Sequence, residues 1–203
     1  MLIYINGYMD ENGTATKLYS AGLTPGKLSG YGYISGNTLA ILSAGVNKNP
    51  FGFAASILTM LGHVLLARGA GDNKTHSQII QGIYISASFC YKLGGLIDNK
   101  TLGIRVSGNL YSLALGAFEG KVAEGGFIDK LVERRAVVAG GISLVGRIPL
   151  LETSYTEVAK RPSPASWAWF IAVVIWTGSD ILYMASKTKQ DGQLNPLRES
   201  QQR

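Results

Sequence analysis

Asp180, His63, Lys92, Arg105, Arg147, Asn37 and Asn109 all stand inside or at the ends of apolar stretches. A charged side chain at the centre of a membrane span costs about 2.5 to 3.5 kcal/mol on insertion scales, so such residues are the first place to look for chemistry. Asp180 is the single ionisable residue between Ala165 and Ala185 and lies about 8 Å from the end of that stretch at 1.5 Å per residue. Its carboxylate could hold a proton or a cation, or meet His63, which occupies the matching position of an earlier apolar stretch. The plainer role is a packing contact with a neighbouring helix. His63 is of the type that exchanges a proton near neutral pH and would suit a relay, or a structural hydrogen bond.

Lys92, Arg105 and Arg147 each fall near one end of an apolar segment, on the same side, and could together line an anion pocket. Long basic side chains so placed also reach back to the water interface, which is their commoner use. Asn37 and Asn109 each sit in a Ser-Gly-Asn triplet. Hydrogen bonds between helices, worth about 0.6 kcal/mol on average in membranes, account for them without a ligand. No GxSxG or HExxH motif occurs, and the chain holds two histidines and one cysteine. A catalytic metal site of nitrogen and sulfur ligands is therefore not expected, nor an enzyme, nor a cofactor. Cys90 reads as a small buried apolar residue.

The elements that must position these groups are apolar segments. Ala165 to Ala185 has the roughly 20 residues that cross a bilayer, with Trp167 and Trp169 at its entry and Lys187 and Lys189 past its exit. Pro50 to Ala67 titrates only at His63 and reads as a second span. Tyr31 to Val46, Ser77 to Ile97, Leu102 to Phe118 and Ala136 to Leu151 complete an expected all-α polytopic integral membrane helical bundle of about six transmembrane helices, some short enough to be half-helices or re-entrant pieces. The N-terminal polar segment is 1–30, with a short strand or interfacial anchor within Met1 to Met9. The bundle occupies 31–187, interrupted by an amphipathic helix at 119–135 lying on the membrane surface and by a polar loop from Glu152 to Pro164. Residues 188–203 form a polar tail.

Charge and composition agree with this reading. Only 16% of residues are charged, and the 26 glycines, many inside apolar segments, suit close helix contact in lipid. The net charge of +6 is scattered rather than gathered on one face, so nucleic acid is not an expected partner. The expected partners are the lipid bilayer and either further copies of the chain or other membrane subunits. Of the loops on the side opposite the termini, only Lys48, Lys100, Lys160 and Arg161 are basic, so both termini are expected in the cytoplasm of a multi-pass membrane protein, which for a bacterial chain means the inner or plasma membrane. The N-terminus has no positive region ahead of its short apolar run, so no cleaved signal is expected.

Two internal echoes bear on symmetry. SGNTLAIL from Ser35 returns as SGNLYSLAL from Ser107, which would relate two inverted three-helix halves, and LGHVLLA from Leu61 is echoed by TGSDILYMA from Thr177. The hairpin from Leu144 to Leu182, LVGRIPLLETSYTEVAKRPSPASWAWFIAVVIWTGSDIL, resembles one helix pair of the PQ-loop and SWEET-like transporters, with a proline near the end of one span, a polar loop and a tryptophan-bearing start to the next. Pro149 is followed by Leu150 where that family has glutamine. The resemblance implies small-solute transport through three-helix repeats, with Pro149 as a hinge. The function expected is thus transport of a small solute or ion. The alternative is an accessory or structural subunit of a larger membrane assembly.

Overall fold

The computed structural model describes residues 24–67 and 74–201, and among these all regular structure is helical. Six helices follow one another: α1 (Pro25–Val46), α2 (Pro50–Ala67), α3 (Lys74–Leu93), α4 (Asn99–Gly116), α5 (Phe127–Lys160) and α6 (Pro164–Gln201). Each packs against its neighbours in sequence, and α6 returns to pack most extensively against α1. The result is a closed ring in which no helix crosses the middle. The end where α1 begins is called proximal here, and the end holding the α1–α2, α3–α4 and α5–α6 turns is called distal.

Local chemistry sets the helix ends. Thr24 caps α1 by accepting from the Lys27 amide at 3.3 Å, with Pro25 in the first turn, where its missing N–H is not needed. At the distal end Asn49 accepts from the Gly52 amide at 2.9 Å and donates to the Gly94 carbonyl at 2.7 Å, tying the α1–α2 turn to the end of α3. Gly95, at φ +71°, supplies the left-handed residue that closes α3. Asp98 caps α4 by accepting from the Thr101 amide at 2.6 Å, and that bond holds its carboxyl below the usual aspartate range. Ser163 and Ser166 cap α6 reciprocally, each amide donating to the other's hydroxyl.

Several expected boundaries shift. Helix α1 starts at Pro25, not Tyr31, because the Thr-Pro pair nucleates it earlier. The surface helix expected at 119–135 is instead a turn region followed, from Phe127, by the first turns of α5. The expected loop from Glu152 to Pro164 is helical through Lys160, since Leu150, Ser154 and Val158 recur every fourth residue and are buried. Helix α5 is thus 34 residues, about 51 Å at 1.5 Å per residue, and no half-helix. The backbone expected as a tail continues helical to Gln201. The strand or anchor expected within Met1 to Met9 lies outside the described residues.

Among the described residues two helices are long and apolar enough to cross a bilayer: α5, and α6 from Pro164 to Ser186. Only 17% and 33% of their most apolar windows are buried, whereas the core helix of a water-soluble protein would hide most of such a window. Helix α2 is apolar over a shorter run, Pro50 to Leu66. These two apolar and largely exposed helices suit association with a membrane. Glycines sit where helices meet. A Cβ on Gly36 of α1 would come within 2.6 Å of the Trp176 indole of α6, and one on Gly146 of α5 within 3.0 Å of the Arg105 side chain of α4. The backbones approach because those positions carry no side chain.

Candidate functional site

The ring interior divides into an aromatic plug toward the distal end and a charged layer behind it. Counting from the distal helix ends at 1.5 Å per residue, Tyr33, His63, Arg147 and Asp180 all lie about 20 to 24 Å in, at one level. Four different helices therefore deliver them: α1, α2, α5 and α6.

Asp180 is the centre of that layer and is only 6% exposed. One carboxylate oxygen accepts from Arg147 Nε at 2.7 Å, and the other accepts from the Tyr33 hydroxyl. This is the one buried ion pair among the described residues; the other pair, Arg135 with Glu119 at 2.8 Å, lies at the surface. The Tyr33 ring in turn stacks on His63, centroids 4.0 Å apart and 11° from parallel. His63 Nδ1 shares a hydrogen bond of 3.1 Å with the Tyr84 hydroxyl of α3. Asp180 and His63 are thus joined through Tyr33 rather than directly.

Arg147 is 5% exposed and faces inward, so it does not reach for the interface, and it lies level with Asp180 rather than with Lys92. Its guanidinium also sits over the Trp176 ring, 5.1 Å from the centroid. The buried Nη1 of Arg147 has no hydrogen-bond partner, and the same holds for Nη1 of Arg105. The Arg105 stem lies against Gly146, the residue before Arg147, which brings the two cations together. Asn37 is wholly buried and donates to its own helix at the Tyr33 carbonyl, 2.8 Å, leaving Oδ1 without a partner. Asn109 makes the same local bond to the Arg105 carbonyl at 3.3 Å. Neither asparagine bridges helices through its amide nitrogen, because each turns back on the preceding turn.

Lys92 belongs elsewhere. It lines a cleft of about 320 Å³ at the distal end with Asp98, Thr153, Ser154, Glu157 and Trp169. Trp169 separates this cleft from the interior. Its ring meets Trp176 edge-on at 5.5 Å and Tyr91 at 5.6 Å, and Tyr91 shares a hydrogen bond of 3.0 Å with Ser56. These three aromatics, each 2% exposed or less, fill the ring between the cleft and the charged layer.

The ionisable residues were visible in the sequence as interruptions of apolar runs. Tyr33, Tyr84, Tyr91 and Trp176 carry no such mark one by one, because aromatic residues are ordinary in apolar helices. The spacing of Tyr84, Ser88 and Tyr91, at i, i+4 and i+7, did carry the signal of one polar-tipped stripe. Among the described residues no cluster of three or more His, Cys, Asp or Glu side chains is placed to hold a metal. No family model, curated protein or solved structure matches the chain.

Proposed function

We propose that all six helices cross a lipid bilayer, with the proximal end in the cytoplasm, and that the ring carries a small solute or ion through its interior. The outward faces support this reading: Leu42 of α1, Ile57 of α2, Phe89 of α3, Leu110 of α4, Ile148 of α5 and Ile181 of α6 are all about half exposed or more. Lipid is the solvent that accepts such a surface, while the polar groups turn inward. The excess of Lys and Arg in the proximal loops supports the orientation.

The observation that carries transport is the enclosed layer of Asp180, Arg147, Tyr33 and His63. Close packing at small residues and interhelical hydrogen bonds are the usual means by which membrane helices associate, so a buried ion pair asks for a further reason. Ionisable groups that face a bundle interior mark solute and ion pathways. The route is shut at the distal side by Trp169, Trp176 and Tyr91, so passage requires those rings to move. Pro149 supplies a point of give two residues from Arg147: it cannot donate to the Val145 carbonyl, which weakens the helix there. The likeness of the last hairpin to PQ-loop and SWEET-like transporters agrees with that role for Pro149.

The test is flux of a panel of labelled small solutes into liposomes holding the purified protein. Saturable uptake that Asp180→Asn abolishes, with insertion intact, is the expected result. Equal uptake by wild type and variant, or no uptake across the panel, refutes the reading. One observation favours a subunit role instead: Gly82, Gly103 and Gly178 face open space on the ring's outside, where another helix could lie close. Recovery from mild detergent together with other membrane proteins would favour that second reading.

A further inference from the structure

The charged layer is a complete cation site in no respect, because both oxygens of Asp180 are already taken by donors, Arg147 and Tyr33. What the two arginines lack is acceptors. Nη1 of Arg105 and Nη1 of Arg147 are buried donors without partners; the other unpartnered buried polar atoms are the Thr101 hydroxyl, one turn before Arg105, and, on the Gly36 side of the ring, Trp176 Nε1 and Asn37 Oδ1. An unmet buried donor on a charged group is expensive, and a guanidinium stays charged in any setting.

Charge counting points the same way. Arg105 and Arg147 bring two positive charges and Asp180 one negative, and Arg105 lies within electrostatic range of both. One positive charge is left over, carried by Arg105, whose side chain is half-buried with its Nη1 fully enclosed. Asp180 shows what satisfies a guanidinium here: a carboxylate, held at 2.7 Å. We propose that Arg105 and Arg147 together bind a small monocarboxylate, for which the Asp180 side chain is the resident counterpart. A single carboxylate balances the second guanidinium charge and supplies acceptors for the two unpartnered Nη1 groups. A ligand entering from the distal cleft passes Lys92 and displaces the Trp169 and Trp176 contact to reach it.

The proposal deepens the carrier reading by naming its substrate class, yet the site can be measured without flux. Equilibrium binding of labelled acetate, phosphate and methylamine to the full chain in detergent, at constant ionic strength, is the experiment. Saturable acetate binding is expected, weakened about tenfold to a hundredfold in Arg105→Gln by loss of a charged hydrogen bond, and partly kept in Arg105→Lys. Absence of acetate binding, preference for phosphate or methylamine, or undiminished binding in Arg105→Gln overturns it. Should the glutamine variant fail to fold, the preference among the three probes in wild type still decides. Acetate binding without liposome uptake of any solute would sink the carrier reading and leave the site. Uptake of an amine or neutral solute without acetate binding would do the reverse.

Discussion

Replacing Asp180 by asparagine keeps the side chain's size and its ability to accept from Tyr33, but leaves Arg147 without a counter-charge at 5% exposure. Breaking one side of a buried ion pair costs about 3 to 5 kcal/mol, and the face of Trp176, still beneath the guanidinium, keeps the loss toward the lower end. Arg147→Gln should cost less, about 1.5 to 3 kcal/mol, the worth of a hydrogen bond to a charged group. The carboxylate it leaves behind retains Tyr33 and has Arg105 in range. Carrying both changes at once removes both charges, so the double variant should be less destabilised than Asp180→Asn alone. The assay is unfolding in mixed micelles by added sodium dodecyl sulfate, followed through tryptophan fluorescence, for wild type, both single variants and the double. A coupling energy of about 2 kcal/mol or more is expected. If the single effects simply add, within about 0.5 kcal/mol, the pair holds nothing together and the argument for an enclosed charged layer fails.

Gly36→Ala forces a methyl into the Trp176 indole at 2.6 Å and should destabilise by about 1 to 3 kcal/mol, whereas Gly178→Ala, which meets open space, should be neutral or gain up to about 1 kcal/mol; thermal melts in detergent compare them. Asp98→Ala should cost about 0.5 to 2 kcal/mol through loss of the α4 cap. Because the folded carboxyl titrates below its unfolded value, that contribution is present above the unfolded pKa and is lost as pH falls through the folded one; wild type and variant stabilities, measured across the acid range, should therefore converge at low pH. In a Cys90→Ala background, Lys27→Cys and Lys48→Cys should react with an impermeant thiol reagent from opposite faces of the membrane. Labelling of both from the same face would mean that α1 does not cross.

Sequence reading reached furthest where apolarity and punctuation coincide. Pro50 to Ala67 reads as a span and is a helix with the same bounds, since Asn49-Pro50 marks its start and its run is unbroken, though its apolar run is shorter than those of α5 and α6. It failed where helix continues through polar residues. The stretch from Glu152 to Lys160 looks like loop by composition, but only one face needs to be apolar or small when the other lies outside the ring, and Leu150, Ser154 and Val158 provide that face. For the site, the ionisable members could be named one by one, but not their grouping. Arg147 is expected near Lys92 because both stand near the distal ends of the spans read from sequence; in the ring α5 runs on to Lys160 and Arg147 turns to Asp180, while Lys92 opens on the distal cleft. Which way a side chain points around its helix depends on how the ring closes, and short apolar segments with scattered glycines do not fix that rotation.

The ring closes through the seam between α1 and α6, where Ser29 donates to the Ser179 carbonyl and Ser43 to that of Ala165, each at 2.8 Å. The order of synthesis makes this seam the last to form. Arg147 leaves the ribosome 33 residues ahead of Asp180, a wait of roughly 2 to 7 s at 5 to 20 residues per second. Tyr33, 147 residues ahead of Asp180, waits far longer. During that interval an open arc of helices holds two guanidinium groups with no carboxylate to meet them. In the six-span arrangement proposed above, this favours release of α5 and α6 into the bilayer as one hairpin, with the insertion machinery sheltering the cations until the sixth helix arrives. Ribosome stalling between those two helices should leave the nascent chain bound to that machinery, and extending the chain past Ser186 should free it.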